Sequence, residues 1–462
     1  MTVAYYIIVA FSFFLSFLFL KINYRVFHRL AENSLSLLNE ILSKDEEDEK
    51  IDLVQGKTNK LLVNLLKVLG LIITSILIIC VAIYIYALIL RIKYDQIDLS
   101  SFFFIISISV GATIPFLIPS KKDNSGYSTL AQLFHRLILD NNNISLKLFN
   151  RDVKKINRRG VSKRKDFIII SGLARSGTTS LMTSLSEIKE LKSLNYASMP
   201  LILSPIFWRK FYNPKKVKLK ERSHKDGLSI GLDTVEALEE HFFIAKAKSS
   251  YIFDKTLSKH EISKDVYDDY LSYQQIVREN ESSIYLAKNN NFILRYKSIR
   301  KLNNEFLMVI LFRDPLSHAH SLLSQHKKFC KLQNESPFIE EYMNWLGHHE
   351  FGNNQKQFVF NTVDEIIEGD KFTLDYWLKI WCNYYSYLLI LDKGKLVIID
   401  YKDYCETPSV VINEIISKLD VDSELIKNEG FSNHRKCEER YSEELYNKSI
   451  DIYNKLIKLT NQ

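Results

Sequence analysis

The stretch FIIISGLARSGTTSL, Phe167 to Leu181, decides the fold: an apolar strand, a glycine turn between Gly172 and Gly177, then the start of a helix. A turn of this kind receives an oxyanion. Its glycines let backbone amides come close, and the helix that follows presents its positive end. The spacing almost spells a nucleotide-phosphate loop, yet Thr178 stands where such a loop needs lysine. The only basic residue is Arg175, two residues before Gly177, a permanently charged and forked donor. Ser176, Thr178 and Thr179 add hydroxyls. Glycine turns also occur with nothing bound, so the loop takes its meaning from what else the chain brings to it.

A second anion site is legible in FRDPLSHAHSLL, Phe312 to Leu323, directly after the apolar run FLMVILF, Phe306 to Phe312. Arg313 falls at a strand end, and Pro315 fits the first position of a helix, where its missing N–H is no loss. Ser321, eight residues past Arg313, lies on that helix facing back toward the loop region. Taken alone, this is equally an Arg–Asp turn followed by a helical serine with no ligand. KLVIID, Lys395 to Asp400, is a third apolar run. Continuous apolar runs alternating with helical patterns predict strands covered on both faces, and ligands beyond their carboxyl ends. The expected fold is α/β: a P-loop-like parallel sheet flanked by helices, preceded by an all-α transmembrane region.

Together the two sites resemble the PAPS-dependent sulfotransferase family (PAPS is 3′-phosphoadenosine 5′-phosphosulfate), in its membrane-anchored, bacterial carbohydrate-type form. Arg175 to Thr179, R-S-G-T-T, is similar to the family's loop for the 5′-phosphosulfate, with Arg where cytosolic members have Lys. Arg313 and Ser321 match the arginine and serine that grip the 3′-phosphate, at the same separation. Lys288 in YLAKNNNF matches the family's mid-chain lysine, and IIDYKDYCETP, Ile398 to Pro408, is similar to its late strand-then-Y-E-D-L-x-x-x-P block. The resemblance spans Phe167 to Leu419. It implies a donor site of Arg175, Ser176, Gly177, Thr178, Thr179, Arg313 and Ser321, PAPS as donor, PAP as coproduct and no metal.

One departure matters. Cytosolic members carry a catalytic histidine two residues after the lysine, and here that position is Asn290. The stretch Glu221 to Phe243 is similar to a segment of bacterial members and contains His224 and a set of glutamates. In the helical pattern TVEALEEHFF, Glu236, Glu239 and Glu240 share a face beside Leu238, Phe242 and Phe243. A glutamate at the edge of that apolar face is partly desolvated, which raises its pKa toward a useful range. A solvated acidic face is the plain alternative. The candidate bases rank Glu239, Glu236, His224, then Glu240, with Lys288 stabilising the charge that develops on the leaving phosphate.

The N-terminal part carries three uncharged runs: Val3 to Leu20, Val68 to Leu90 and Phe102 to Pro119, of 18, 23 and 18 residues. A membrane-crossing helix needs about 20. The third contains Pro115 and also fits a buried core helix. No Lys or Arg precedes the first run, whereas Lys21, Arg25 and Arg29 follow it, and a dense basic series from Lys147 to Lys165 follows the third. By the positive-inside bias the N-terminus is outside and everything beyond residue 120 is cytoplasmic, at a bacterial inner membrane. Much of the formal charge of +8 then lies where anionic lipid headgroups are. The amphipathic pattern of Leu130, Leu133, Phe134, Leu137 and Ile138 predicts a helix, on the membrane face or packed on the catalytic domain. Asn141 to Asp166 reads as a linker.

The resulting division is a membrane region over 1–120, helix and linker over 121–166, and a catalytic domain over 167–462. Five widely spaced cysteines without C-x-x-C argue against structural zinc and for a reducing compartment. The expected acceptor is a saccharide or lipid-linked hydroxyl, with membrane lipids as partners and no nucleic acid. Two other readings stand beside this one. In a P-loop kinase or NTPase, Asp400 imitates a magnesium-binding strand end, although Thr178 in place of lysine counts against it. The other is a non-catalytic, nucleotide-binding membrane protein.

Overall fold

In the computed structural model, which describes residues 2–42, 47–90, 101–117, 126–212, 220–221, 229–230, 237–361, 366–392, 394–419 and 439–460, the chain forms two units, Met1–Asn143 and Ile144–Gln462. The first unit is helical: α1 Thr2–Ile22, α2 Tyr24–Leu42, α3 Glu47–Leu90, α4 Phe102–Leu117 and α5 Thr129–Leu139. α1 and α4 run parallel. Tyr6 meets Phe103 at one end (ring centroids 5.8 Å apart), and Phe17 meets Phe116 at the other (6.3 Å). Lys21 at the end of α1 donates to the carbonyl of Pro115 (2.7 Å). Gly111 allows this approach, since a Cβ there would lie 2.2 Å from the Ala10 carbonyl oxygen. α3 folds back antiparallel along both α2 and α1, joined by the Lys57–Glu40 pair and by the Ser16 hydroxyl, which donates to the Ser75 carbonyl (3.1 Å).

Two of these helices, over Tyr5–Ile22 and Asp52–Ile89, are long and apolar enough to cross a membrane. α4, on the third predicted span, has 16 residues, Phe102–Leu117, and the last two residues of the stretch read from sequence, 118 and 119, lie outside the described residues. Outward residues of all three, among them Phe11, Ile73, Leu77, Leu88, Phe103 and Phe116, are exposed apolar side chains. The predicted amphipathic helix forms as α5. It packs on α2, within its own unit, with an Arg136–Glu32 ion pair of 2.5 Å.

The second unit opens with α6, Asn142–Arg158, where a linker was expected. Beneath its basic surface Phe149 and Ile156 are fully buried, and Asp152 accepts the Phe207 N–H (2.9 Å). The two compact units divide between Asn143 and Ile144. The sheet comprises β1 Phe167–Ser171, β2 Leu191–Lys192, β3 Ile284–Lys288, β4 Leu307–Phe312 and β5 Leu396–Asp400, in the order 2-3-1-4-5. All pairings are parallel, with Ile170 beside Lys288 and beside Val309, and Phe312 beside Asp400. β1, β3 and β4 are buried throughout, which is why β1 and β4 read as continuous apolar runs. Helices α7 Thr178–Ser186 and α8 Pro315–Glu335 follow β1 and β4.

Candidate active site

The glycine loop, Lys288 and Arg313 emerge from the carboxyl ends of three adjacent strands, β1, β3 and β4. Crossovers bring these ends together although the residues lie far apart in sequence. The loop holds Arg175 at φ +73°, a left-handed conformation that a non-glycine residue adopts at a cost. Gly177 is at φ +102°, and a Cβ there would lie 2.2 Å from the Tyr401 ring, so only glycine fits. Behind the loop, the buried His318 of α8 donates from Nε2 to the Ala174 carbonyl (2.7 Å). Burial pushes the His318 pKa down to about 3, so it stays a neutral strut at this position.

The missing lysine is replaced from the neighbouring strand. Lys288 donates from Nζ to Thr179 Oγ1 (2.8 Å), placing an ammonium at the start of α7. On the other side, Arg175 Nε donates to Ser321 Oγ (3.3 Å), joining the two predicted anion sites into one. Pro315 begins α8 as expected, with Asp314 as cap accepting the Ser317 N–H (2.8 Å). Arg313 lies over the Tyr401 ring, 5.3 Å from its centroid. Burial holds its guanidinium below the ordinary value, Tyr401 works against that, and the nearby Arg175 adds to it. Arg313 forms no ion pair with a carboxylate among the described residues. Two guanidiniums and an ammonium around amide donors are chemically suited to an anion with more than one charged group.

The candidate bases fare differently. Glu236 and His224 lie outside the described residues. Glu239 was expected at the edge of an apolar face and is instead interior, 2% exposed. Its oxygens accept from Tyr270 (2.7 Å), Tyr285 (2.8 Å) and Asn289 (2.9 Å). Burial raises its pKa, against those hydrogen bonds. Glu240 accepts both guanidinium nitrogens of Arg295 (2.6 Å each) and shares the Asn289 amide. Burial would raise Glu240, but Arg295 outweighs it and the carboxyl is lowered. Tyr270, Tyr285 and Arg295 come from later segments, so nothing near TVEALEEHFF announces this enclosure.

Tyr401, His318, His348 and Glu350, which sequence reasoning did not single out, complete the site together with Asn290. Tyr401 forms a floor under Gly177 and Arg313, His318 braces the loop, and Asn290, His348 and Glu350 line a cleft with Lys288. Only the position of Tyr401, directly after an apolar strand run, was a signal. Asp400, the strand-end carboxylate of the kinase-like reading, is occupied by its own surroundings: Oδ1 accepts the Lys402 N–H (3.0 Å) and Oδ2 the Tyr453 hydroxyl (2.6 Å).

No protein-family model matches the chain, and no curated protein matches it. Similar solved structures include a sulfotransferase from Mycobacterium tuberculosis H37Rv, at 13% identity and TM-score 0.34, covering 64% of this chain and 78% of that one. Another, from Alicyclobacillus acidocaldarius, has 11% identity and TM-score 0.32, covering 64% and 96%. A third, from Mycobacterium avium, has 11% identity and TM-score 0.34, covering 74% and 80%. Likeness this slight assigns no activity by itself, and the site's own geometry has to carry that step. Solved structures similar to this chain thus include several sulfotransferases.

Proposed function

We propose that this chain transfers a sulfuryl group from PAPS to a hydroxyl of a saccharide or glycolipid, releasing PAP. One observation carries the reading: Arg175, Lys288 and Arg313 converge on a glycine loop that has no lysine of its own. A donor with charged groups on the 3′ and 5′ oxygens of one ribose suits cations on both sides of that loop. The amides of the loop, Arg175, Ser176, Gly177, Thr178 and Thr179 hold the 5′-phosphosulfate, and Arg313 with Ser321 holds the 3′-phosphate. Lys288, already at Thr179, stabilises charge growing on the leaving phosphate oxygen, the electrostatic contribution that dominates many such reactions. The apolar helices of the first unit lie in a bilayer, with the catalytic unit on the cytoplasmic side, supported by their exposed apolar faces and the flanking basic residues. Tethering then raises the local concentration of a membrane-bound acceptor.

Thermal unfolding of the full chain in detergent tests the donor. PAP at a hundred times its dissociation constant is expected to stabilise by about 2.7 kcal/mol, and ADP or ATP at the same concentration by much less. Equal stabilisation by ATP would overturn the assignment in favour of a nucleotide triphosphate site.

A further inference from the structure

α6 divides by face. Phe149, Asp152 and Ile156, at i, i+3 and i+7, are buried, whereas Lys147, Arg151, Lys154 and Arg158, at i, i+4, i+7 and i+11, are exposed. With Lys155, and with Lys210 from the turn after Trp208, they line an open cleft of about 460 Å³. That volume lies within the range of small-molecule sites, about 300–1,000 Å³. None of these six cations forms an ion pair with a carboxylate among the described residues. The neighbouring carboxylates are engaged elsewhere. Glu279 pairs with Arg159 (3.1 Å) and with Arg209, and Asp152, 1% exposed, accepts the Phe207 N–H beneath the helix. Lys155 is lowered by desolvation and then by Arg159 and Lys210, as happens where like charges crowd, with Asp152 working the other way. One edge of the cleft is aromatic. The Arg151 guanidinium stands 4.3 Å over the Phe207 ring, whose centroid is 5.1 Å from that of Phe211. Phe211 is 70% exposed. A single exposed phenylalanine is ordinary on a surface. Beside six cations it completes the pairing of basic face and aromatic ring that binds the headgroup layer of a bilayer.

We propose that this cleft seats the phosphate of an anionic phospholipid headgroup, with Phe211 entering the headgroup layer beside it. The inference rests on the reading of the first unit's apolar helices as lying in a bilayer, and not on the identity of the donor. Two of those helices are long and apolar enough to cross a membrane, and α6 opens the second unit after them in the chain. A lipid leaflet is therefore the polyanion nearest at hand for this face, ahead of a nucleic acid. Arg151 and Arg158 offer forked donors to phosphate oxygens, and the four lysines supply point charges. Each Lys or Arg held near an anionic leaflet strengthens attachment roughly fivefold. Attachment through one face fixes the orientation of the second unit on the leaflet.

The test places the full chain in nanodiscs of phosphatidylcholine, with and without phosphatidylglycerol, and follows acetylation of its lysines by an uncharged reagent. Mass spectrometry reads each rate relative to the exposed Lys455 on the last helix, Glu443–Thr460. Labelling of Lys147, Lys154 and Lys210 is expected to be at least about fivefold slower in the anionic discs. It is expected to recover at about 1 M salt, where charges are screened within about 3 Å. Phe211→Ser is expected to reverse part of the protection, and protection unchanged in that variant overturns the role of the ring. Equal labelling of the unaltered chain in the two kinds of disc overturns the proposal. Equal protection in neutral discs by inorganic phosphate or by a DNA oligonucleotide, at matched phosphate concentration, also overturns it, in favour of a free anion or a nucleic acid. Failure of the full chain to co-purify with neutral discs fails the bilayer reading itself, and this inference with it, a result distinct from equal labelling.

Discussion

Arg313 rests on the face of Tyr401 beside a second guanidinium, Arg175, and burial already weighs against its charge. A bound 3′-phosphate offsets both effects. Arg313→Ala is therefore expected to weaken PAP by about 1.5–3 kcal/mol, roughly ten- to a hundredfold, while leaving AMP nearly unaffected. Calorimetric titration of both ligands checks this, and equal losses would show that Arg313 does not read the 3′ position. At this scale the sequence was most informative where chemistry forces a residue type. The Gly177 turn was legible because a left-handed turn between strand and helix admits few alternatives. The enclosure of Glu239 was not, because its partners Tyr270, Tyr285 and Asn289 arrive from later elements. Nor was the 3.3 Å contact of Arg175 with Ser321, since two separate motifs do not state how a sheet will bring them together.

Among elements, α6 departs furthest from expectation. Its seventeen residues carry so many basic side chains that they read as a tether, yet Phe149 is fully buried with its ring 6.0 Å from that of Phe242. Phe149→Ala is expected to cost about 3–5 kcal/mol, the usual range for an enclosed phenylalanine. Chemical denaturation of the full chain, followed by tryptophan fluorescence, measures it. A loss under 1 kcal/mol would return the segment to the status of a linker. The central strands were legible almost to the residue because a parallel sheet buries both their faces and leaves an unbroken apolar run. β2, with two residues, has no periodicity to detect, and β3 announced itself chiefly through Lys288. α5 was read correctly as amphipathic, but its seat on α2 depends on a helix hairpin that a pattern of apolar spacing does not specify.

Across the whole molecule, buried histidines set the response to acid. His241, His326 and His349 are lowered to about 4 and His318 to about 3, in each case chiefly by burial. Unfolded, each titrates near 6.5. Between these values the unfolded chain binds more protons than the folded one, so stability falls as pH falls, by up to about 1.4 kcal/mol per unit for each histidine. Glu239, Asp152 and Asp400 are raised by burial and act in the opposite sense, because their folded forms take up protons first. Among the described residues six histidines are lowered, these four with His260 and His135, against three raised carboxyls, and the melting temperature is expected to drop between pH 7 and pH 5 at constant ionic strength. A flat profile over that range would mean the histidines are not enclosed as described.

The cradle around the glycine loop also has a history in time. Thr179 leans on Lys288, Arg175 on Ser321, and Gly177 on Tyr401, so the grip draws on residues from the first strand of the sheet to the end of the last. A chain still leaving the ribosome has its loop long before it has the floor beneath it. On the proposed reading, unfinished copies would gain nothing from the donor, whereas completed ones would be stabilised as its concentration rises. Supply of the proposed donor and survival of the protein would then be coupled through binding alone.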